Sequence, residues 1–133
     1  MQSGFSNTTV AKYLFDRLKS LGIKHIFGVP GDYAFPLNDV VVSDPDLQWI
    51  GNCNELNATY AADGYARING YGAVCTTYGV GELCTFGGIA GAYAENVPIV
   101  HIVGMPPSKA INSNKIIHHT LGYPDFHVYE KMI

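Results

Sequence analysis

A glutamate, an aspartate and two adjacent histidines are the residues of this 133-residue sequence whose types and placing could do chemistry. Glu55 follows Asn52-Cys53-Asn54 and opens Glu55-Leu56-Asn57-Ala58. That context puts a carboxylate in the first turn of a helix, at the carboxyl end of a strand. Two readings fit it. A first-turn carboxylate steadies the helix dipole by a few tenths to about 1 kcal/mol, and a carboxylate at a strand end can serve a ligand. Asp32 stands in Gly31-Asp32-Tyr33, where taken alone it reads as a turn former. His118 and His119 lie in a long late loop. Adjacent loop histidines are expected to point apart, and no third ligand at zinc-site spacing accompanies them. Near an acid, two imidazoles could instead shuttle protons close to neutral pH. His25, His101 and His127 read as core or surface histidines. Gly79-Val80-Gly81-Glu82 is a weak match to a phosphate cradle, because Cys84 takes the place of the third glycine and no Walker lysine follows. It reads better as a turn that lets a neighbour press on the backbone. No G-x-S-x-G elbow or H-E-x-x-H pair is present, which removes the common hydrolase signatures.

The elements that must position these groups alternate. Asn7, Thr8 and Thr9 offer caps for a helix over 10–18, with an apolar stripe at positions 10, 14, 18 and 21 and Gly22 as its stop. Residues 25–29 form an apolar run, read as a buried strand that ends in the turn Pro30-Gly31-Asp32. A short helix over 35–42, a strand over 47–50 and a turn at 51–54 follow. Asn54 then caps a helix from Glu55 to about Ile68, with Gly70 beyond it. Ala58, Ala61, Ala62 and Ala66 make one side of that helix thin. A strand over 73–78, an exit turn at 79–81, a helix over 82–96 and a strand over 98–104 come next, and 105–124 reads as a loop. Close packing is the expected role of Gly87, Gly88 and Gly91, since each glycine costs a helix about 1 kcal/mol relative to alanine. Strands separated by helices, with near-continuous apolar runs, argue for a parallel sheet covered on both faces, an α/β architecture. Ligands of such sheets gather at the carboxyl ends of the strands. The turns at 30–32, 52–55, 79–82 and 104–107 all lie there.

Composition sets the outer bounds. Hydrophobic residues make up 47% and charged residues 14%. The charged share is low against about 25% in an average soluble domain, so much of the surface is expected to be covered. A disordered tail and a disulfide miniprotein are both excluded. Eight Lys and Arg against eleven Asp and Glu give a net charge of −3, with no basic stripe to invite nucleic acid or anionic lipid. Cys53, Cys75 and Cys84 form no C-x-x-C pair and read as reduced, mostly buried thiols of a cytoplasmic protein. The start lacks the pattern of a secretory signal, and no apolar run approaches the ~20 residues of a membrane span.

Taken in order, six stretches resemble the amino-terminal, pyrimidine-binding domain of thiamine diphosphate-dependent 2-oxo acid decarboxylases. Pyruvate and indolepyruvate or phenylpyruvate decarboxylases are the members most alike. The stretches are 27–33, 54–58, 61–67, 76–83, 92–96 and 118–122, and they run through nearly the whole chain. The resemblance implies conversion of a 2-oxo acid to an aldehyde and carbon dioxide, with thiamine diphosphate and Mg²⁺ as cofactors. Glu55 is then the cofactor-activating carboxyl, hydrogen-bonded to the pyrimidine nitrogen. A helix N-terminus favours its ionised form, donation to a ring nitrogen needs the protonated one, and burial under an apolar ring must hold the balance. Asp32, His118 and His119 become the acid–base group over the substrate, with Asp32 and His119 beside the 2-oxo acid. Thr77 and the backbone of Val29, Pro30 and Gly31 become the lining of the pyrimidine pocket.

Family members are several times longer, with a central domain and a diphosphate-binding domain marked by Gly-Asp-Gly. No Gly-Asp-Gly occurs here, so no metal ligands are expected in this chain. Residues 1–133 are therefore expected to be an incomplete pyrimidine domain, inactive alone. Its site would be completed by the diphosphate-binding domain of a second subunit in a homo-oligomer. Smaller departures are Cys84 where serine is usual, Tyr123-Pro124 where a more polar pair is usual, and Phe35-Pro36 after Asp32-Tyr33. A non-catalytic, partner-pairing module is the alternative from another class. An acetolactate synthase-like carboligase is disfavoured by His118-His119.

Overall fold

In the computed structural model, residues 8–132 are described. The cap expected of Asn7 lies outside them; Thr9 caps the first helix, its hydroxyl accepting from the Lys12 N–H at 3.1 Å. That helix, α1, spans Val10–Ser20. Strand β1 covers His25–Gly28 and leads through a 3-10 turn at Asp32–Ala34 into α2, Phe35–Ser43. β2 covers Gln48–Gly51, α3 Glu55–Asn69 and β3 Gly72–Thr77. α4 covers Val80–Ala94 and β4 Ile99–Gly104. The stretch read as loop contains one short helix, α5, at Ser108–Ile111.

The four strands form one parallel sheet in the order β2-β1-β3-β4. The α/β architecture expected from the alternation is the one observed. Period-2 alternation sorts the side chains onto two faces. Ile26, Ala73, Cys75 and Ile102 join Phe15 and Leu18 of α1 and Val41 of α2 on one face. Phe27 and Val74 join Ala58 and Ala62 of α3 on the other. The thin side of α3 does lie close: a Cβ on Gly72 would sit 2.5 Å from the Ala62 carbonyl oxygen. Of Gly87, Gly88 and Gly91, only Gly88 has the expected close packing, since an added Cβ would sit 2.7 Å from Thr59, whereas one on Gly91 would meet nothing within 4 Å. The α1 stripe is also corrected. Phe15 and Leu18 are the buried positions, and Val10 is 86% exposed.

His101 is a core histidine rather than a chemical one. It sits mid-strand on β4, its Nε2 3.0 Å from the Thr76 hydroxyl. Burial pushes its pKa down to about 4. The unfolded chain therefore takes up a proton between pH 6.5 and 4 that the folded chain refuses. Stability is complete above about pH 6.5 and falls as the pH drops through that window, by up to about 3 kcal/mol. The carboxylates whose pKa values are lowered, Asp16, Asp32, Asp44 and Asp125, begin at 3.8 and act below it. Urea unfolding at pH 7 and pH 4.5 is expected to show the loss in the native chain and a much flatter response in His101→Gln. Equal slopes in the two proteins would contradict this assignment.

Candidate functional site

The strand order changes direction between β1 and β3, which is where a parallel sheet opens a crevice at its carboxyl end. The groups singled out above converge there. Asn54 caps α3 by accepting from the Asn57 N–H at 2.9 Å, which makes Glu55 the first helical residue. The Glu55 side chain is half-buried. It faces Gly81 of α4, where an added Cβ would sit 3.1 Å from Glu55 Oε1 and 3.1 Å from Thr77 Cγ2. Among the described residues its carboxyl has neither a hydrogen bond nor an ion pair. Thr77 also backs onto Gly31, whose Cβ would sit 2.6 Å from Thr77 Cβ. Its hydroxyl is buried with no partner among the described residues. Glu55, Thr77, Gly31 and Gly81 thus form one cluster, with Val29 half-buried and Pro30 exposed on the approach to Gly31.

The α4 start differs from the sequence reading by two residues. Gly79 takes φ +69°, and the helix begins at Val80. Glu82 is 4% exposed and its Oε2 accepts from the Gly79 N–H at 3.0 Å, which satisfies an otherwise free helix-end donor. The expected close approach to this turn is real: beyond the Gly81 contacts, a Cβ on Gly79 would meet the His119 carbonyl at 2.8 Å and the Tyr129 ring.

Asp32 opens the 3-10 turn after β1 and pairs with the histidine loop. His118 Nε2 lies 2.8 Å from Asp32 Oδ2, both side chains about half exposed. The hydrogen bond from His118 holds the Asp32 carboxyl below its usual range. His118 and His119 do not point apart, as adjacency led one to expect. Their rings meet edge to face at 4.7 Å, because His119 adopts φ +66° and turns the chain back. That conformation is costly outside glycine and needs support. Support comes from beneath. The Tyr78 hydroxyl donates to the His118 carbonyl and the Tyr129 hydroxyl to the His119 carbonyl, each at 2.6 Å. Tyr78, Phe126 and Tyr129 form a third core at the strand ends. Burial pushes the Tyr78 phenol up to about 12, so it remains a donor across the working pH range.

Sequence reasoning missed this aromatic floor. The available signal was Tyr78 at the end of an apolar strand, directly before a glycine turn. Cys75 is buried and Cys84 half-buried as expected, while Cys53 is exposed. An open groove of about 500 Å³ lies elsewhere, at the amino ends of β1 and β2 between Lys19, Ile23, Lys24, Pro45 and Asp46. It holds none of the strand-end groups. Geometry ranks the strand-end cluster above it, because only there do a free carboxyl, an unpartnered buried hydroxyl and an Asp–His pair come together.

This cluster can offer a carboxyl to a ring nitrogen, a hydroxyl to a flanking polar atom and a proton-carrying pair to a substrate. Those are the groups that the resemblance would set against the pyrimidine end of thiamine diphosphate. Among the described residues no three His, Cys, Asp or Glu side chains gather to hold a metal. No helix among them is long and apolar enough to cross a membrane.

Comparison with known proteins points the same way. A family model described as "Thiamine pyrophosphate enzyme, N-terminal TPP binding domain" matches residues 8–127. A putative pyruvate decarboxylase of Schizosaccharomyces pombe is 54% identical over 125 residues, covering 92% of this chain and 22% of that protein. An alpha-keto-acid decarboxylase of Mycobacterium leprae is 56% identical over 118 residues, covering 89% of this chain and 21% of that protein. A thiamine metabolism regulatory protein of Saccharomyces cerevisiae is 52% identical over 123 residues, covering 92% and 20%. The chain spans about a fifth of the length of these curated relatives.

Proposed function

Because the chain belongs to the thiamine pyrophosphate enzyme N-terminal domain family, we propose that it is the pyrimidine-binding part of a cytoplasmic 2-oxo acid decarboxylase. The reaction yields an aldehyde and carbon dioxide. The observation that carries the reading is the partnerless Glu55 carboxyl beside an unpartnered Thr77 hydroxyl at the sheet's crevice. When bound, thiamine diphosphate supplies the electron sink for decarboxylation. The protein's own part is binding, orientation and protons. Glu55 shares a proton with the pyrimidine nitrogen. Thr77 and the backbone from Val29 to Gly31 flank the ring, and Gly31 and Gly81 leave room that a Cβ would fill. The Asp32–His118 pair moves a proton to the product-forming carbon, and His119 helps hold the 2-oxo acid. Mg²⁺ and the diphosphate belong to a separate diphosphate-binding domain, contributed by a second subunit. The exposed apolar residues Val80, Leu83 and Phe86 of α4 support such docking.

The test is aldehyde formation from pyruvate and from phenylpyruvate by the full-length protein. Turnover is expected with thiamine diphosphate and Mg²⁺ together, and its loss when either is withdrawn. The likeness to a thiamine metabolism regulatory protein favours a second reading, a binding module without turnover. Cofactor binding by a well-folded protein, with no aldehyde from either acid, would select that reading instead.

A further inference from the structure

We propose that Tyr33 is a positioning residue for His118, its hydroxyl donating to Nδ1 so that the ring keeps its Nε2–H on Asp32. The proposal rests on the acid–base role given above to the Asp32–His118 pair. An ionised carboxylate has only acceptor sites, so the imidazole nitrogen 2.8 Å from Asp32 Oδ2 must carry the proton. In the neutral ring that leaves a lone pair on Nδ1, and the Tyr33 hydroxyl lies 3.1 Å from it. Among the described residues no other group reaches Nδ1, so without this donor the exposed ring would be free to turn or change tautomer.

The phenol suits both charge states of the histidine. It donates to a bare Nδ1, and its oxygen accepts from Nδ1–H once the ring is charged. Its own position is fixed twice. The Tyr33 ring stacks on His118 at 4.7 Å and meets the buried Tyr78 ring edge-on at 5.1 Å. Tyr78 in turn bonds the His118 carbonyl. The ionisable groups facing His118 are therefore Asp32 and Tyr33 from the 3-10 turn, Tyr78 from the end of β3 and His119 from its own loop. Tyr33 alone among them reaches Nδ1.

The experiment has two arms. The first is ¹⁵N NMR of the full chain labelled at histidine. His118 is expected as the Nε2–H tautomer with a hydrogen-bonded Nδ1, and Tyr33→Phe is expected to shift Nδ1 toward a free lone pair. An Nδ1–H tautomer in the native protein, or an unmoved Nδ1 signal in a folded Tyr33→Phe, would overturn the proposal. The native reading stands even if the variant folds poorly. The second arm compares Tyr33→Phe with Asp32→Asn in the full-length protein. About a tenfold fall in kcat for Tyr33→Phe, with KM within threefold and a displaced pH profile, is expected. A large loss in Asp32→Asn with none in Tyr33→Phe sinks the role of Tyr33 alone. Unchanged turnover in Asp32→Asn sinks the acid–base reading beneath it.

Discussion

Glu55→Gln is expected to lower turnover of the full-length protein by at least about a hundredfold, roughly 2.7 kcal/mol of transition-state stabilisation. The amide keeps the size and polarity of the carboxyl, so the packing beside Gly81 persists. The Asn54 cap is independent of it. On the proposed reading, what is lost is the acidic proton shared with the ring nitrogen. Stability should therefore change by no more than about 1 kcal/mol, the scale of one first-turn charge on a helix. Cofactor affinity should fall far less than kcat, because most of the ring's contacts remain. Steady-state kinetics, a thiamine diphosphate titration and a thermal melt separate these quantities. A loss below about tenfold in a folded, cofactor-saturated variant would remove Glu55 from the chemistry.

The second large effect is structural. Gly28 ends β1 opposite Gly51 and Cys75 in the register. A Cβ there would fall 2.1 Å from the Cys75 carbonyl oxygen and 2.7 Å from the Trp49 ring. The ring could turn, but the carbonyl belongs to the central ladder of the sheet. Overpacking relieved by side-chain movement costs about 1–3 kcal/mol, and a clash with fixed backbone should exceed that. Gly28→Ala is expected to lose more than about 3 kcal/mol, a large part of a typical domain's 5–15 kcal/mol. It should appear as a collapse of soluble yield or of the urea midpoint. Gly91→Ala is the matched control. It is exposed in α4 with no neighbour within 4 Å, and alanine there should stabilise by about 0.5–1 kcal/mol. Similar midpoints for the two variants would contradict this packing account.

Neither glycine's packing was legible in the sequence, where Gly28 is one residue of an apolar run and Gly91 was expected to pack closely. The alternation of apolar runs with capped helices located every strand and every long helix, because a buried parallel strand has few ways to look. Boundaries set by a single special residue were harder. The α4 start at Val80 depends on the positive φ of Gly79 and on the Glu82 carboxylate folding back, neither of which leaves a periodic trace. The α1 stripe held at Leu14 and Leu18, which pack on the core, and failed at its ends, where Val10 and Leu21 are exposed. At the site, Glu55 and Asp32 were legible from their places after strands. The contact between His118 and His119 was not, since it depends on Tyr78 and Tyr129 reaching loop carbonyls from distant parts of the chain. Residues 126–129 carry no pattern that announces their return to the strand ends.

Exchange of the reactive thiazolium proton into deuterated water, followed by quenched-flow NMR on the assembled full-length protein, tests the proton-sharing role of Glu55 most directly. It isolates the step that a protonated pyrimidine partner assists, free of substrate binding and product release. The native protein should exchange that proton at least about a hundredfold faster than Glu55→Gln at equal cofactor occupancy. Equal exchange rates in the two proteins would show that this carboxyl plays no part in activating the cofactor.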